Sequence, residues 1–383
     1  MGYITDRQQK IKWLLFLLLW CCQAQAALPL PLWLDGKEMT TSAWPVMPPL
    51  SPPEGLRACC AFGYDLGVRV PWLRTPLPFF HLDNVVEAGS TGGHHYNDSF
   101  VSGMLSLTGG GREHNGIIFT TQGGFVDTAH VRDTADMTVF IFTRLWPRLG
   151  QAFVLSPGRD ELAQRRLVFR AFTPPSSVRD RYVLAAEISA RLAYQLAVWH
   201  EIAQWYGFES VPGYPETVSA FSPEDLWSNL LGARVALSLI FSGQTADRRM
   251  YETAMQNALK QVLVHLGGGA VSRTRFQLRM LDRVWWNSRC LLPDKWLVIK
   301  RNYDVDADRL PVSVPGGDMK PLRLSLPLRP EAAVLAELQL WPGQDMKRLP
   351  VPEGYYTGKD FAGLASRARA RAGDSVSRDR FCP

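Results

Sequence analysis

Several common enzyme signatures are missing from this sequence. It has no Gly-x-Ser-x-Gly elbow, phosphate-binding loop or dinucleotide fingerprint, so serine-hydrolase, P-loop and Rossmann chemistry have no starting point. No internal repeat is visible, which argues against solenoids and propellers. Cysteine is scarce, at six in 383 residues. Beyond the first 26 residues no stretch approaches the length of apolar chain that a membrane-spanning helix needs, so no span is expected there. A dense Lys/Arg stripe interleaved with aromatics is also absent, which argues against nucleic acid as a partner.

What is present begins at the amino end. Arg7, Lys10 and Lys12 precede an uncharged apolar run from Trp13 to Cys22, and Ala24-Gln25-Ala26 supplies a small-x-small step. These are the three zones of a secretory signal peptide, with cleavage expected after Ala26. Losing Arg7, Lys10, Lys12 and Asp6 with that leader lowers the formal charge from +6 to +4. A mildly basic exported protein suits surroundings rich in anionic lipid or polymer. Cys59, Cys60, Cys290 and Cys382 remain. In an oxidising compartment they can form two disulfides or stay free, and a bond to Cys382 would pin the carboxyl end. They lie far in sequence from the histidine motifs, so a cysteine nucleophile is not expected.

The chain reads as a leader (1–26), a proline-rich arm (27–56), one globular domain (57–358) and an Arg-rich tail (359–383). Pro45 to Pro53 has few amide donors and favours extended backbone, so the arm is expected outside the core. The expected fold class is α+β, a mainly helical centre with flanking short β-strands. Helical periodicity marks 127–145, 177–206, 222–239, 246–265 and 272–288. β-branched segments at 116–121, 296–299, 322–326 and 334–340 read as strands. Ser222-Pro223-Glu224-Asp225 has the order of a helix start: a cap, a proline, then acids.

Two motifs can carry chemistry. In Asp127-Thr128-Ala129-His130-Val131-Arg132-Asp133 the two acids and the histidine are three apart and share a helix face. Imidazole and carboxylate together bind divalent ions, zinc among them, and also form acid/base pairs. Trp199-His200-Glu201 begins like a zinc-protease helix, but Gln204 stands where the second histidine belongs. Any ion must therefore complete its shell elsewhere, and His130 with Asp133 is the natural source. Glu224 and Asn229 can face the same site from the next helix. The bland alternative is a helix cap at Asp127 and satisfied buried histidines.

Taken together, Cys59-Cys60-Ala61-Phe62-Gly63, Gly123-Gly124-Phe125-Val126-Asp127 leading to His130-Val131-Arg132-Asp133, Trp199-His200-Glu201-Ile202 and Phe221-Ser222-Pro223-Glu224-Asp225-Leu226 resemble an exported bacterial family catalogued only as a domain of unknown function. The resemblance covers about residues 57–300. It implies a Gram-negative envelope protein located in the periplasm, and it supplies no activity or site residues.

The functional expectation is a periplasmic metal-dependent hydrolase. His130, Asp133 and His200 would hold the ion, and Glu201 would act as general base on a bound water. Its substrate would be an envelope peptide, glycan or lipid. The rival reading is a non-catalytic envelope binding or assembly protein whose His/carboxylate clusters are structural.

Overall fold

The computed structural model describes residues 42–53, 56–57, 61–70, 75–97, 113–210, 213–327, 329, 332–376 and 382, with backbone alone for 70, 75–80 and 373–376. The expected leader, Cys59 and Cys60 lie outside the described residues.

The architecture is α+β. Small antiparallel sheets surround a helical centre. β1 (Leu66–Val70) pairs with β2 (Thr75–Leu82), and β3 (Ile117–Thr120) with β4 (Gly124–Asp127). β5 (Phe153–Leu155), β6 (Ala163–Phe169) and β9 (Ala336–Pro342) form a three-stranded sheet with β6 in the middle, while β7 (Asp308–Arg309) and β8 (Leu324–Ser325) make a short ladder. No described helix is long and apolar enough to cross a membrane.

The helices are α1 (Thr128–Leu145), α2 (Val178–Trp205), α3 (Asp225–Phe241), α4 (Arg248–His265), α5 (Val271–Met280), α6 (Ala332–Leu335) and α7 (Phe361–Val376). Asp127 starts α1 by accepting the Ala129 amide at 2.7 Å, and Ser177 starts α2 by accepting the Asp180 amide. Gly207, at φ +98°, ends α2 in a left-handed turn that suits glycine. Phe140, Trp199, Trp227 and their neighbours on α1, α2 and α3 are fully buried in one apolar core. A second cluster gathers Phe62, Phe119, Phe125, Trp285 and Trp286. Cys290 in that cluster is disulfide-bonded to Cys382, Cα atoms 5.2 Å apart, so the carboxyl end is pinned as the bond to Cys382 required.

Some element boundaries differ from the sequence expectation for identifiable reasons. The third large helix begins at Asp225, not Ser222. Asp225 Oδ2 reaches back to accept the Ser222 amide at 2.9 Å, which holds 222–224 in a turn. The helix expected to reach 288 stops at Met280, where the Trp286 indole donates to the Leu278 carbonyl and folds the chain back. Residues 295–297 form a single 3-10 turn capped by Asp294 instead of a strand. The tail forms α7, with Phe361, Leu364, Ala365 and Ala368 buried. The described part of the proline-rich arm is extended, yet it is strapped to the helices. Leu50 bonds to Thr143 and Arg144, Tyr182 donates to the Pro45 carbonyl, and Met47 is only 2% exposed.

α1 and α3 approach most closely at Gly232, where an added Cβ would collide with the Val131 carbonyl. Gly232→Ala is therefore expected to push the two helices apart, with a loss of about 1–3 kcal/mol typical of overpacking. Urea unfolding of the variant checks this; an unchanged midpoint would show that the contact is soft.

Candidate metal centre

Three helix ends meet at one buried point. From the start of α1, His130 places Nδ1 3.0 Å from Asp127 Oδ2. That bond orients the ring and leaves Nε2 as the outward atom. From α2, Glu201 brings Oε1 to 3.5 Å from His130 Nε2, and from the start of α3, Asp225 brings Oδ1 to 3.8 Å. Both separations exceed hydrogen-bond length. Each separation suits a ligand across an ion from His130, because donors about 2.1 Å from a tetrahedral centre lie about 3.4 Å apart. Asp127, His130 and Asp225 can each offer an atom within 4.8 Å of the others.

Each carboxylate is anchored by one oxygen and open at the other. Glu201 Oε2 accepts the Phe221 amide at 2.6 Å, and Asp225 Oδ2 accepts the Ser222 amide. Glu201 Oε1 and Asp225 Oδ1 are buried with no hydrogen-bond donor among the described residues, as are both oxygens of Glu224. Phe221 sits at φ +57°, a left-handed conformation rare for an aromatic residue. Holding it there points its amide at Glu201, and strain of this kind concentrates at functional sites.

The electrostatics are unbalanced. Asp127, Glu201 and Asp225 are fully buried and Glu224 is 2% exposed. Burial pushes the Asp225 carboxyl well above the usual range, and the Glu201 charge adds to this. Glu224 is raised in the same way by burial, with Asp127 adding to the rise. For Glu201 burial acts in the same direction, but His130 outweighs it and holds the carboxyl below its ordinary value. The Arg301 guanidinium is near enough to feel all three acids, although its donors go to the carbonyls of Ala220, Val218 and Lys295.

His130 faces a narrow cavity of about 40 Å³, room for a few waters, also lined by Arg57, Asp133, Arg165, His200 and Asn229. The three sequence-expected ligands thus share one cavity but hold different partners. Asp133 is engaged by Arg57 through both oxygens, by the backbone amide at 3.1 Å and Nη1 at 2.7 Å. Burial raises its carboxyl to about 6 against the pull of Arg57. His200 Nδ1 lies 3.3 Å from Glu161 Oε2, and Glu161 Oε1 accepts from Arg165 at 2.6 Å. Burial would lower the His200 pKa, but Glu161 outweighs it and the ring is raised. Asn229 accepts from Thr134 at 2.7 Å.

Beside the cavity lies a second polar cluster. Arg57 bonds Glu113 at 2.5 Å, Asp133 at 2.7 Å and Asp136 at 3.0 Å. His94 bridges Glu113 and Asp136, Tyr251 donates to Asp136 at 2.6 Å, and Arg132 joins Asn115 and the Thr91 carbonyl. Arg57 and Arg132 face three carboxylates together with His94, whose ring burial would make harder to protonate but Asp136 and Glu113 make easier. Burial alone would raise Glu113, yet Arg57, His94 and Arg132 hold it well below the carboxylate range. Unlike the three-helix site, this cluster pairs its charges internally.

The family described as "Protein of unknown function (DUF4056)" matches residues 47–315, more than half of the chain. The chain belongs to this family. No curated protein and no solved structure matches it. The matched span contains the whole three-helix site and the Arg57 cluster, while β9 and α7 lie beyond it.

Sequence reading took Asp225 only as a helix-start acid and did not single out Glu161, Arg57 or Glu113. The Glu224-Asp225 pair carried little signal for Asp225, since acids are ordinary at a helix start, where the dipole favours them. For Arg57, Glu113 and Glu161 no local pattern points to burial, because their partners are distant in sequence.

Proposed function

We propose that this protein is a metal-dependent hydrolase of the cell envelope, with a divalent ion held by His130 Nε2 and Asp225 Oδ1 beside Glu201 Oε1. The observation carrying this reading is that two buried carboxylate oxygens without hydrogen-bond donors converge on an oriented imidazole nitrogen. A cation relieves that arrangement more completely than protons do, since it would bind His130 and Asp225 and offset the Glu201 charge beside them. Nitrogen and oxygen donors together suit zinc, manganese or iron. Asp127 orients His130 through Nδ1. Asp133 and His200 then line the approach to the ion instead of binding it, and Glu201 is held beside it by the Phe221 amide. Glu224 is a further buried carboxyl beside the site, both of its oxygens unbonded among the described residues.

A bound ion would supply Lewis acidity and a more acidic water. The protein's own share is the fixed carboxylates, the narrow approach, and an apolar wall from Leu56, Met137 and Leu196 that limits water. With the expected leader at 1–26, this chemistry would act in the periplasm, on an envelope peptide, glycan or phospholipid. The rival structural reading is supported by the Arg57 cluster, whose charges are paired internally.

Elemental analysis of protein purified without chelators separates the two. About one equivalent of a divalent metal is expected in the wild type, absent from His130→Ala while α-helical circular dichroism is retained. A metal-free wild type that also fails to take up zinc, manganese or iron when these are supplied would sink the hydrolase.

A further inference from the structure

α5 buries one side and exposes the other. Thr274 and Leu278 face inward. On the outside Phe276 is 50% exposed, Met280 62%, and Val284 in the following turn 58%. Residues four apart stack on one helix face, so Phe276 and Met280 form an apolar ridge at the end of the helix, and Val284 is exposed in the turn that follows. Arg279 and Arg283, one position before Met280 and Val284, are also exposed. Arg283 has Asp282 3.6 Å away, whereas the Arg279 side chain has no hydrogen bond or ion pair among the described residues. One turn earlier, Arg275 pairs with Asp83.

Folding gives no reason to leave a phenylalanine and a methionine in water side by side, since large apolar side chains in a row mark interaction surfaces. The form of this one indicates its occupant. It is an exposed helix face whose companions are arginines, which match anionic headgroups, on a chain whose formal charge after loss of the expected leader is +4.

We propose that the Phe276–Met280 ridge, with Val284 in the adjoining turn, docks on an anionic lipid surface, with the apolar side chains entering the headgroup boundary and Arg279 and Arg283 meeting lipid phosphates. The contact is peripheral and independent of any metal. It would bring the protein to the bilayer along one defined face.

The test uses the full chain with vesicles of phosphatidylcholine containing about one third phosphatidylglycerol, against pure phosphatidylcholine. Sedimentation should show binding to the anionic vesicles that weakens at high salt. Each of two double variants, Phe276→Ser with Met280→Ser and Arg279→Glu with Arg283→Glu, should bind about tenfold more weakly or worse, at unchanged thermal midpoint because all four positions are exposed. Hydrogen exchange supplies the local readout: amides of 271–284 should become protected when anionic vesicles are added. Vesicle binding that leaves this segment unprotected, for example through the apolar run at 13–22, would overturn the proposal. So would protection without lipid accompanied by a dimer in light scattering, which would assign the ridge to a second copy of the chain.

Discussion

Replacing Arg57 with alanine is expected to destabilise the protein by about 3–5 kcal/mol, the range for removing one partner from a buried ion-pair network. Arg57 is 4% exposed, and its guanidinium contacts Glu113, Asp133, Asp136 and the His95 carbonyl. Without it three carboxylates share only Arg132 and His94. Arg57→Lys should recover part of the loss, because an ammonium restores charge but not the planar fork that spans three acids. The effect should also depend on pH in a defined direction. Glu113 and Asp136 are held below their ordinary values in the fold, chiefly by Arg57 and His94 acting against burial. Groups of that kind contribute stability above their unfolded pKa, near 4, and lose it as pH falls through the depressed folded value. The destabilisation should therefore be fullest near neutrality and shrink in acid. Asp133, raised to about 6, runs the other way and contributes less as pH rises through that value. Urea midpoints for wild type and variant from pH 3 to pH 8 check both size and slope. A loss below 1 kcal/mol, or one that is flat with pH, would show that the cluster is not held by Arg57.

Much of the helical frame was legible in the sequence, because it rests on local signals. Asp127, Ser177 and Asp247 cap α1, α2 and α4 with side-chain bonds to nearby amides. The apolar spacing through Val131, Phe140 and Ile141 marks the buried face of α1. Places where the reading slipped depend on contacts distant in sequence or on side chains competing with the backbone. The Trp286 indole folds the chain back after Met280, and Asp225 turns back on Ser222. Similar logic holds at the site. His130, Asp133, His200 and Glu201 stand out because their motifs are compact, and all but Glu201 line one cavity. Which atoms converge is a tertiary matter. Arg57 arrives from just past the arm to take Asp133, Glu161 comes from just before β6 to take His200, and Asp225 comes from α3 to meet His130. Spacing within one helix shows which side chains share a face, but not which neighbour that face meets.

Asp225→Asn should separate metal binding from folding by moving them in opposite directions. In the metal-free protein Asp225 is a fully buried carboxyl whose ionised form is opposed by burial and by Glu201. Its Oδ2 does structural work by accepting the Ser222 amide, and an asparagine oxygen can accept the same bond. Its Oδ1 faces His130 Nε2 at 3.8 Å with no donor of its own, and there an amide nitrogen can turn toward Glu201 or His130. Removing the charge should therefore stabilise the metal-free protein by about 1–3 kcal/mol at neutral pH. The sign follows from linkage: a carboxyl raised in the fold favours the native state only below its unfolded pKa, so ionising it at neutrality works against folding. Metal affinity should fall about 100-fold or more, since a neutral amide is a poor ligand for zinc or manganese. Adding zinc or manganese should raise the thermal midpoint of the wild type and leave the variant where it began. A variant less stable than wild type without metal would mean that Asp225 is structural, with Oδ2 dominating. Equal metal-induced shifts in both proteins would place the ion elsewhere.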